Sequence, residues 1–362
     1  MTYLLAIGTG KGLFLATSRD RRRWEVSTPM FAVNGVYAVG IDTRRTTPRI
    51  VVSADSAHFG PSVYTSDDLG KTWEEAEHAP PIAFPADTGA TYKRAWQFAF
   101  PAPAGQEDVV YAGSEPWALW RSADRGASYE LVRSLWEHPH RAEWGEGAGG
   151  PAIHTIVPHP ADARRMLIAM STGGVYRTED GGASWTASNT GVKTEFMPGD
   201  LHYPEYGQCI HKVSRDSQNP ERLYLQNHGG VYRSDDDGRS WTSIADDLPT
   251  DFGFSILAHP SREGVAFNAP VAFSDNRYPY DYRLRVYRTE DAGASWTGLN
   301  VLDDPYYGIV LRDALCTDGA ETPGLYVGTR VGDVFVSADD GESFVQAAGH
   351  LPDVLCVRAA VV

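Results

Sequence analysis

Three histidines and a glutamine fall where they could hold a metal ion together. "HTIVPHPADARRMLIA", from His154, matches "HKVSRDSQNPERLYLQ", from His211, without a gap, and "QFAFPAPAGQEDVVYA", from Gln97, takes the same register. His228 lies in "LQNHGGVY", one strand further along, and Cys209 stands two residues before His211, on the same side of an extended strand. Imidazoles with an amide or thiolate beside them are the donors that zinc, copper or iron take from a protein. Such a centre is catalytic when one position stays open to water or substrate. The plainer reading makes each histidine a hydrogen-bonded group in a channel or core. A register shared by three segments carries the metal reading further than a lone histidine would. His159 and His259 belong to "HP" strand-end turns and stay outside the set.

Whatever positions these groups must repeat as they do. "TEDGGASW" (178–185) returns as "TEDAGASW" (289–296), with further copies "SDDLGKTW", "SADRGASY", "SDDDGRSW" and "SADDGESF" and a worn "TSRDRRRW". Their closing aromatics are Trp24, Trp73, Tyr129, Trp185, Trp241, Trp296 and Phe344, at intervals of 48 to 56 residues. One full unit reads "AIHTIVPHP", "RMLIAMS", "GGVYRTED", "SWTASN": four short β-rich segments broken by Gly, Asp and Pro. Seven units of four strands predict an all-β, seven-bladed β-propeller as a single domain over residues 1–362. "YLLAIGT", "GLFLATS" and "WEVST" read as second, third and fourth strands, and "DVLCVRAAV" as a first. The C-terminal strand should therefore close the N-terminal blade and remove two sheet edges.

The repeated turn is scaffold. Its Ser or Thr and its Asp can bond hairpin amides, its Gly permits a turn that a Cβ resists, and its aromatic packs between sheets. A calcium loop needs a third acidic position and a distal Glu, which "RSDDDGRSW" lacks in register. The pattern S/T-x-D-x-G-x-x-W/F resembles the Asp-box, or BNR, repeat of sialidase-like propellers, and covers essentially the whole chain. Similar boxes occur in sialidases, xyloglucanase-type glycoside hydrolases, sortilin-type receptors and photosystem II assembly factors. The chain looks most like the bacterial sialidase-like or BNR-repeat glycosyl hydrolase branch. That resemblance implies the propeller fold and a glycosyl hydrolase-like activity. It departs from true sialidases, which are six-bladed and carry R-I-P: "PRIVV", with Arg49 before Ile50, has its proline on the wrong side.

Charged residues supply a second set of candidates. Arg94, Arg312, Arg330 and Arg358 fall where they could face the channel, and as a group they would bind an anion, since guanidinium pairs with carboxylate bidentately. Individually, each reads as a solvated or salt-bridged arginine. Metal-free hydrolysis would need two carboxylates, for which Glu115 in "GSEPW" and Asp313 in "LRDAL" are the candidates, with Asp55 behind them. Long segments, Leu135–Ala152, Asn189–Gln208 and Asn268–Arg285, should gather over one face. Their Trp136, Trp144, Tyr203, Tyr206, Tyr278 and Tyr280 could stack on a sugar ring, or pack on each other as a lid, and His138 and His140 could approach the channel.

The bulk numbers exclude some partners. With 32 basic against 47 acidic residues the net charge is -15, which argues against nucleic acid or an anionic membrane. Three widely spaced cysteines make no disulfide framework, and no apolar run reaches membrane length. "MTYLLAIGTGKGLFLATS" has no basic region before its broken apolar run, so a cytoplasmic location is expected. "GTGKG" lacks P-loop spacing, and there is no G-x-S-x-G elbow. Two functions fit. One is a hydrolase or lyase acting on a small polar or glycosidic ligand at the channel mouth, with or without a metal. The other is a binding or assembly module that presents its looped face to a protein or glycan. Groups placed alike on three inner strands suit the small ligand better.

Overall fold

A strand such as "MLIAM" (Met166–Met170) has no polar face, so both its sides must be covered. All five residues are buried. The computed structural model, which describes residues 1–75, 80–147 and 149–362, covers such strands by setting seven four-stranded antiparallel sheets side by side. Their inner strands are Gly35–Asp42, Arg94–Ala99, Ile153–Pro158, Ile210–Arg215, Gly253–Ala258, Leu315–Thr317 and Val354–Val361. Each touches the next, and the last touches the first, so the ring is closed. The fold is thus the seven-bladed propeller that the repeats predict. Val354–Val361 pairs antiparallel with Tyr3–Thr9 as the innermost strand of the first blade, and Thr2 and Val362 exchange backbone hydrogen bonds of 3.1 and 2.9 Å. Among the described residues no helix is long and apolar enough to cross a membrane.

The repeated turn joins the third and fourth strands of each blade. In the fourth blade, Gly182 N–H donates to Thr178 Oγ1 (2.9 Å), and that hydroxyl donates to Asp180 Oδ1 (2.8 Å). Ser184 donates its amide to Oδ1 (2.9 Å) and its hydroxyl to Oδ2 (2.5 Å), a role for the residue before the aromatic that the repeat alone does not reveal. Gly182 sits at φ +89°, where a Cβ would be strained. The aromatic ties blade to blade: Trp241 Nε1 donates to Ser188 O and Trp296 Nε1 to Ile244 O, both at 2.9 Å. The worn copy keeps the Ser18 hydroxyl bond to Asp20 Oδ1 at 3.2 Å, while the amides of Arg21, Arg22 and Arg23 bond Ser18 and Asp20. Gly181 N–H also bonds Arg164 O, at 2.8 Å, so the first-to-second and third-to-fourth turns share one face. The connections between blades open on the other.

On that looped face the ladders are irregular. In six blades the pairing slips near the start of the inner strand, leaving Leu355, Tyr37, Trp96, His154, His211, and the pair Phe254 and Ser255 out of register. A β-bulge bends its strand and re-aims one side chain. Repeated around a ring, it turns one residue per blade toward the channel mouth. It also corrects the alignment of the inner strands: the equivalent of His154 and His211 in the third blade is Trp96, and Gln97 lies one residue past it. A slip of one residue moves a side chain to the opposite face.

The box carboxylates make the fold acid-sensitive. The hydroxyls of Ser184 and Thr72 hold Asp180 and Asp68 down at about 2. Stability from such groups is present above the unfolded carboxylate value of about 4 and is lost as pH falls through the folded one. Denaturant midpoints should therefore fall steeply between pH of about 4 and 2. In the fifth blade, Asp236→Ala, which removes the acceptor of Ser234 and Ser240, should cost about 1–2 kcal/mol at neutral pH.

Candidate functional site

Of the bulged residues, Leu355, Tyr37, Trp96, His211 and Phe254 line a cavity of about 480 Å³ at the looped mouth of the channel. One wall is aromatic, with Tyr37 and Trp96; the other carries Cys209, His211, His228, Ser171 and Thr172, with Phe252 and Phe254 packed against the two imidazoles. The long segments complete it through Gly147, Gly149, Phe196 and Arg277. Ala148 lies outside the described residues.

The floor is a buried ion cluster. Asp313 accepts from Lys212 Nζ at 2.6 Å, Arg358 Nη2 at 2.7 Å and Gln97 Nε2 at 3.4 Å. Asp313 borders this cavity and also the recess on the other side of the ring, so the cluster divides the channel. Burial opposes its charge, but the cations of Arg358 and Lys212 prevail and hold the carboxyl below the usual range. At neutral pH Asp313 is a fixed anion.

Arg312, beside it, has no such partner. Its guanidinium lies 5.8 Å from the ring centre of Trp96 and 5.5 Å from that of Phe254, and Nη2 reaches Ser171 Oγ at 3.3 Å. Its Nε is buried without a hydrogen-bond partner, and among the described residues no carboxylate lies within ion-pair distance of it. The Gly149 turn rests against it: a Cβ on Gly149 would stand 3.2 Å from Nη2. Arg277 adds a second guanidinium to the cavity wall.

On the opposite wall Cys209 Sγ lies 3.7 Å from His211 Nε2, and His211 Nδ1 lies 2.6 Å from Gly253 O. A carbonyl only accepts, so Nδ1 carries the proton and Nε2 presents its lone pair to the sulfur. The His211 ring stacks on Phe254 with centroids 4.8 Å apart and meets His228 edge-on at 5.6 Å. His228 is anchored by its amide, which donates to Cys209 O at 2.9 Å. Burial lowers the pKa of both imidazoles and raises that of the Cys209 thiol.

The other residues singled out by sequence lie elsewhere. His154 and Gln97 are not in the cluster. His154 Nε2 reaches Ile210 O at 3.0 Å and Nδ1 reaches Thr155 Oγ1 at 3.1 Å, while Gln97 Oε1 accepts from Ile156 N at 2.6 Å; both bind blade to blade. Glu115 is off the cavity wall, held by Lys93 Nζ at 2.6 Å and Trp96 Nε1 at 3.2 Å, so it makes no carboxylate pair with Asp313 across a ligand. Arg94 pairs with Asp55 at 2.7 Å, Arg330 with Asp353 at 2.8 Å, and Arg358 with Asp313; only Arg330 of these reaches the cavity wall. Trp144 and Tyr206 do not offer a stacking platform. Trp144 is buried with Nε1 on Tyr176 Oη at 2.9 Å, and Tyr206 stacks on His140 at 3.9 Å and donates to Glu143 at 2.8 Å. Sequence reasoning missed Trp96, Tyr37, Phe254, Phe252 and Arg277; only the bulge positions, invisible in an ungapped alignment, would have found the first three.

No protein-family model matches the chain. Among curated proteins it is similar to an oligoxyloglucan-reducing end-specific xyloglucanase of Emericella nidulans, 22% identical over 250 residues, which is 60% of this chain and 29% of that protein. A xyloglucanase of a Paenibacillus species is 24% identical over 193 residues, 49% of this chain and 17% of that enzyme. The chain thus spans less than a third of the length of these curated relatives. Two solved structures share its fold. An ancestral GH74 enzyme matches 83% of this chain and 36% of that one, with a TM-score of 0.56 and 19% identity. YCF48 bound to D1 peptide matches 91% and 83%, with a TM-score of 0.54 and 13% identity.

Charge arrangement separates binding from stability in a measurable way. Arg312→Met removes a desolvated charge that nothing in the fold neutralises, so denaturant unfolding should show it neutral or stabilising. Lys212→Met strips one cation from buried Asp313 and should cost about 3 kcal/mol.

Proposed function

We propose that this chain is a carbohydrate-active enzyme whose looped-face cavity takes a small sugar bearing a carboxylate. The observation that carries this reading is Arg312, a guanidinium set in an aromatic cavity with no anion of the protein's own to pair with. A carboxylate is the planar anion that a guanidinium pairs bidentately, and Arg277 stands ready on the same wall. Trp96, Tyr37 and Phe254 border the cavity and would pack against the apolar side of a pyranose. A cavity of about 480 Å³ suits a mono- or disaccharide, and the ion cluster beneath it bars a polymer from threading the channel. The xyloglucanase relatives support a glycan ligand; the arginines are what add the acid group to it.

The chemistry in reach is proton abstraction. Asp313, fixed as an anion between Lys212 and Arg358, has no proton to lend a leaving group, and Glu115 lies off the wall. The two-carboxylate scheme of ordinary glycosidases therefore does not describe this site. With no ion bound beside them, the base in reach is a neutral imidazole, His211 or His228. A carboxylate neutralised by Arg312 would acidify the adjacent C–H; once the base takes that proton, the C–H electrons form a double bond and expel the oxygen on the next carbon, which is the chemistry of a lyase.

A second reading rests on a different observation. Tyr278, Tyr282 and Tyr307 are exposed and stand in a triangle with ring centres 5.7 to 5.9 Å apart, a surface that suits a larger glycan or a protein docked on the looped face. The two readings part in calorimetry. Glucuronate or galacturonate should bind while glucose and xylose do not, and Arg312→Met should weaken the acid on the order of 10- to 100-fold. Equal binding of neutral and acidic sugars, or none of either, would overturn the small-acid reading.

A further inference from the structure

We infer that Cys209, His211 and His228 form a transition-metal site, opening on the cavity, for a zinc or copper ion. Their ligand atoms all lie within 4.8 Å of one another, and the Sγ to Nε2 distance of 3.7 Å is already close to the separation of two donors on one tetrahedral ion. The donors come from two short elements locked together. The bulge at His211 and the turn at His228 belong to one blade, joined by the bond from His228 N–H to Cys209 O.

Three features separate this cluster from a chance meeting of polar side chains. First, His211 gives its Nδ1 proton to Gly253 O, which fixes the tautomer and aims Nε2 at the sulfur; metal-bound histidines are held this way by their outer neighbours. His154, at the equivalent bulge, spends its Nε2 on Ile210 O and has no sulfur beside it. Second, Cys316 and Cys356 lie on inner strands without an imidazole partner, whereas Cys209 meets two. Third, all three residues border the cavity, so an ion held by them keeps a position open to a ligand.

Charge balance then links the ion to the ligand. A divalent ion and one thiolate leave a net charge of about +1, and the Arg312 guanidinium beside them raises it to about +2. Asp313 is already spent on Lys212 and Arg358, and no carboxylate among the described residues forms an ion pair with Arg312. An incoming carboxylate would answer both cations, one oxygen on the metal and one on Arg312. This deepens the reading of the cavity as a site for a sugar acid, although the metal site itself stands on its own geometry.

The test is metal analysis of protein purified without chelator or histidine tag, then loaded with zinc, copper or cobalt salts. About one equivalent should bind in the wild type and in Arg312→Met. It should be lost in His228→Gln and Cys209→Ser, and unchanged in Cys356→Ser as the control for folding. Cobalt should give a thiolate charge-transfer band that Cys209→Ser abolishes, while an intense visible band with copper, together with tighter retention, would name copper over zinc. Less than about a tenth of an equivalent after loading with any of the three, or equal binding in the Cys209 and His228 variants, overturns the metal site. Arg312-dependent binding of glucuronate by metal-free protein would leave the ligand reading standing alone. Bound metal with no affinity for the acid would leave only the metal site.

Discussion

One buried carboxylate organises the centre of this ring. Asp313 belongs to the seventh blade, yet it holds Lys212 of the fifth, Arg358 of the first and Gln97 of the third. Removing three charges from water is costly, and the cost is recovered only if they keep their geometry. The cluster therefore ties the third and fifth blades to the first and seventh across the channel, between blades that are not neighbours in the ring. It also decides what the cavity above it can be: closed at the bottom, and floored by an anion already committed to the protein's own cations.

Against that floor, the walls follow from a repeated departure from regular pairing. Bulges at the heads of the inner strands place one side chain per blade at the mouth, so the chemistry depends on which residue each repeat puts there. Aromatic residues at Tyr37, Trp96 and Phe254 make half of the mouth apolar. Cys209, His211 and His228 make the other side polar, while His154, at the adjacent bulge, is buried off the mouth with Nε2 on Ile210 O and Nδ1 on Thr155 Oγ1.

The fold was legible because its signal is redundant. Six intact boxes, each with Asp bonded to two later amide or hydroxyl donors, state the third-to-fourth turn again and again, and strand order follows from their spacing. The site is written once, and only part of it was readable. His211 and His228 were singled out because imidazole spacing is a chemical signal, and Arg312 because its place just before an inner strand could be counted; all three border the cavity. Gln97 was misplaced by the bulge at Trp96, a feature of the ladder that no residue type announces. Trp144 and Tyr206 were drawn toward a ligand by their aromaticity, although a buried Tyr176 hydroxyl and the His140 ring already claimed them. Burial and partnership are tertiary facts, and composition does not reveal them.

The strand that closes the ring has one further consequence. Val354–Val361 completes the first blade, and the same strand carries Arg358 to Asp313. Sealing the sheet and neutralising the floor are thus a single late event, joining parts of the chain separated by nearly its whole length. During synthesis, the mouth residues of the middle blades can be in place while the base of the cavity still lacks a cation. The floor of the cavity is complete only when that strand is in place, so an intact floor marks a finished ring and not a merely compact chain.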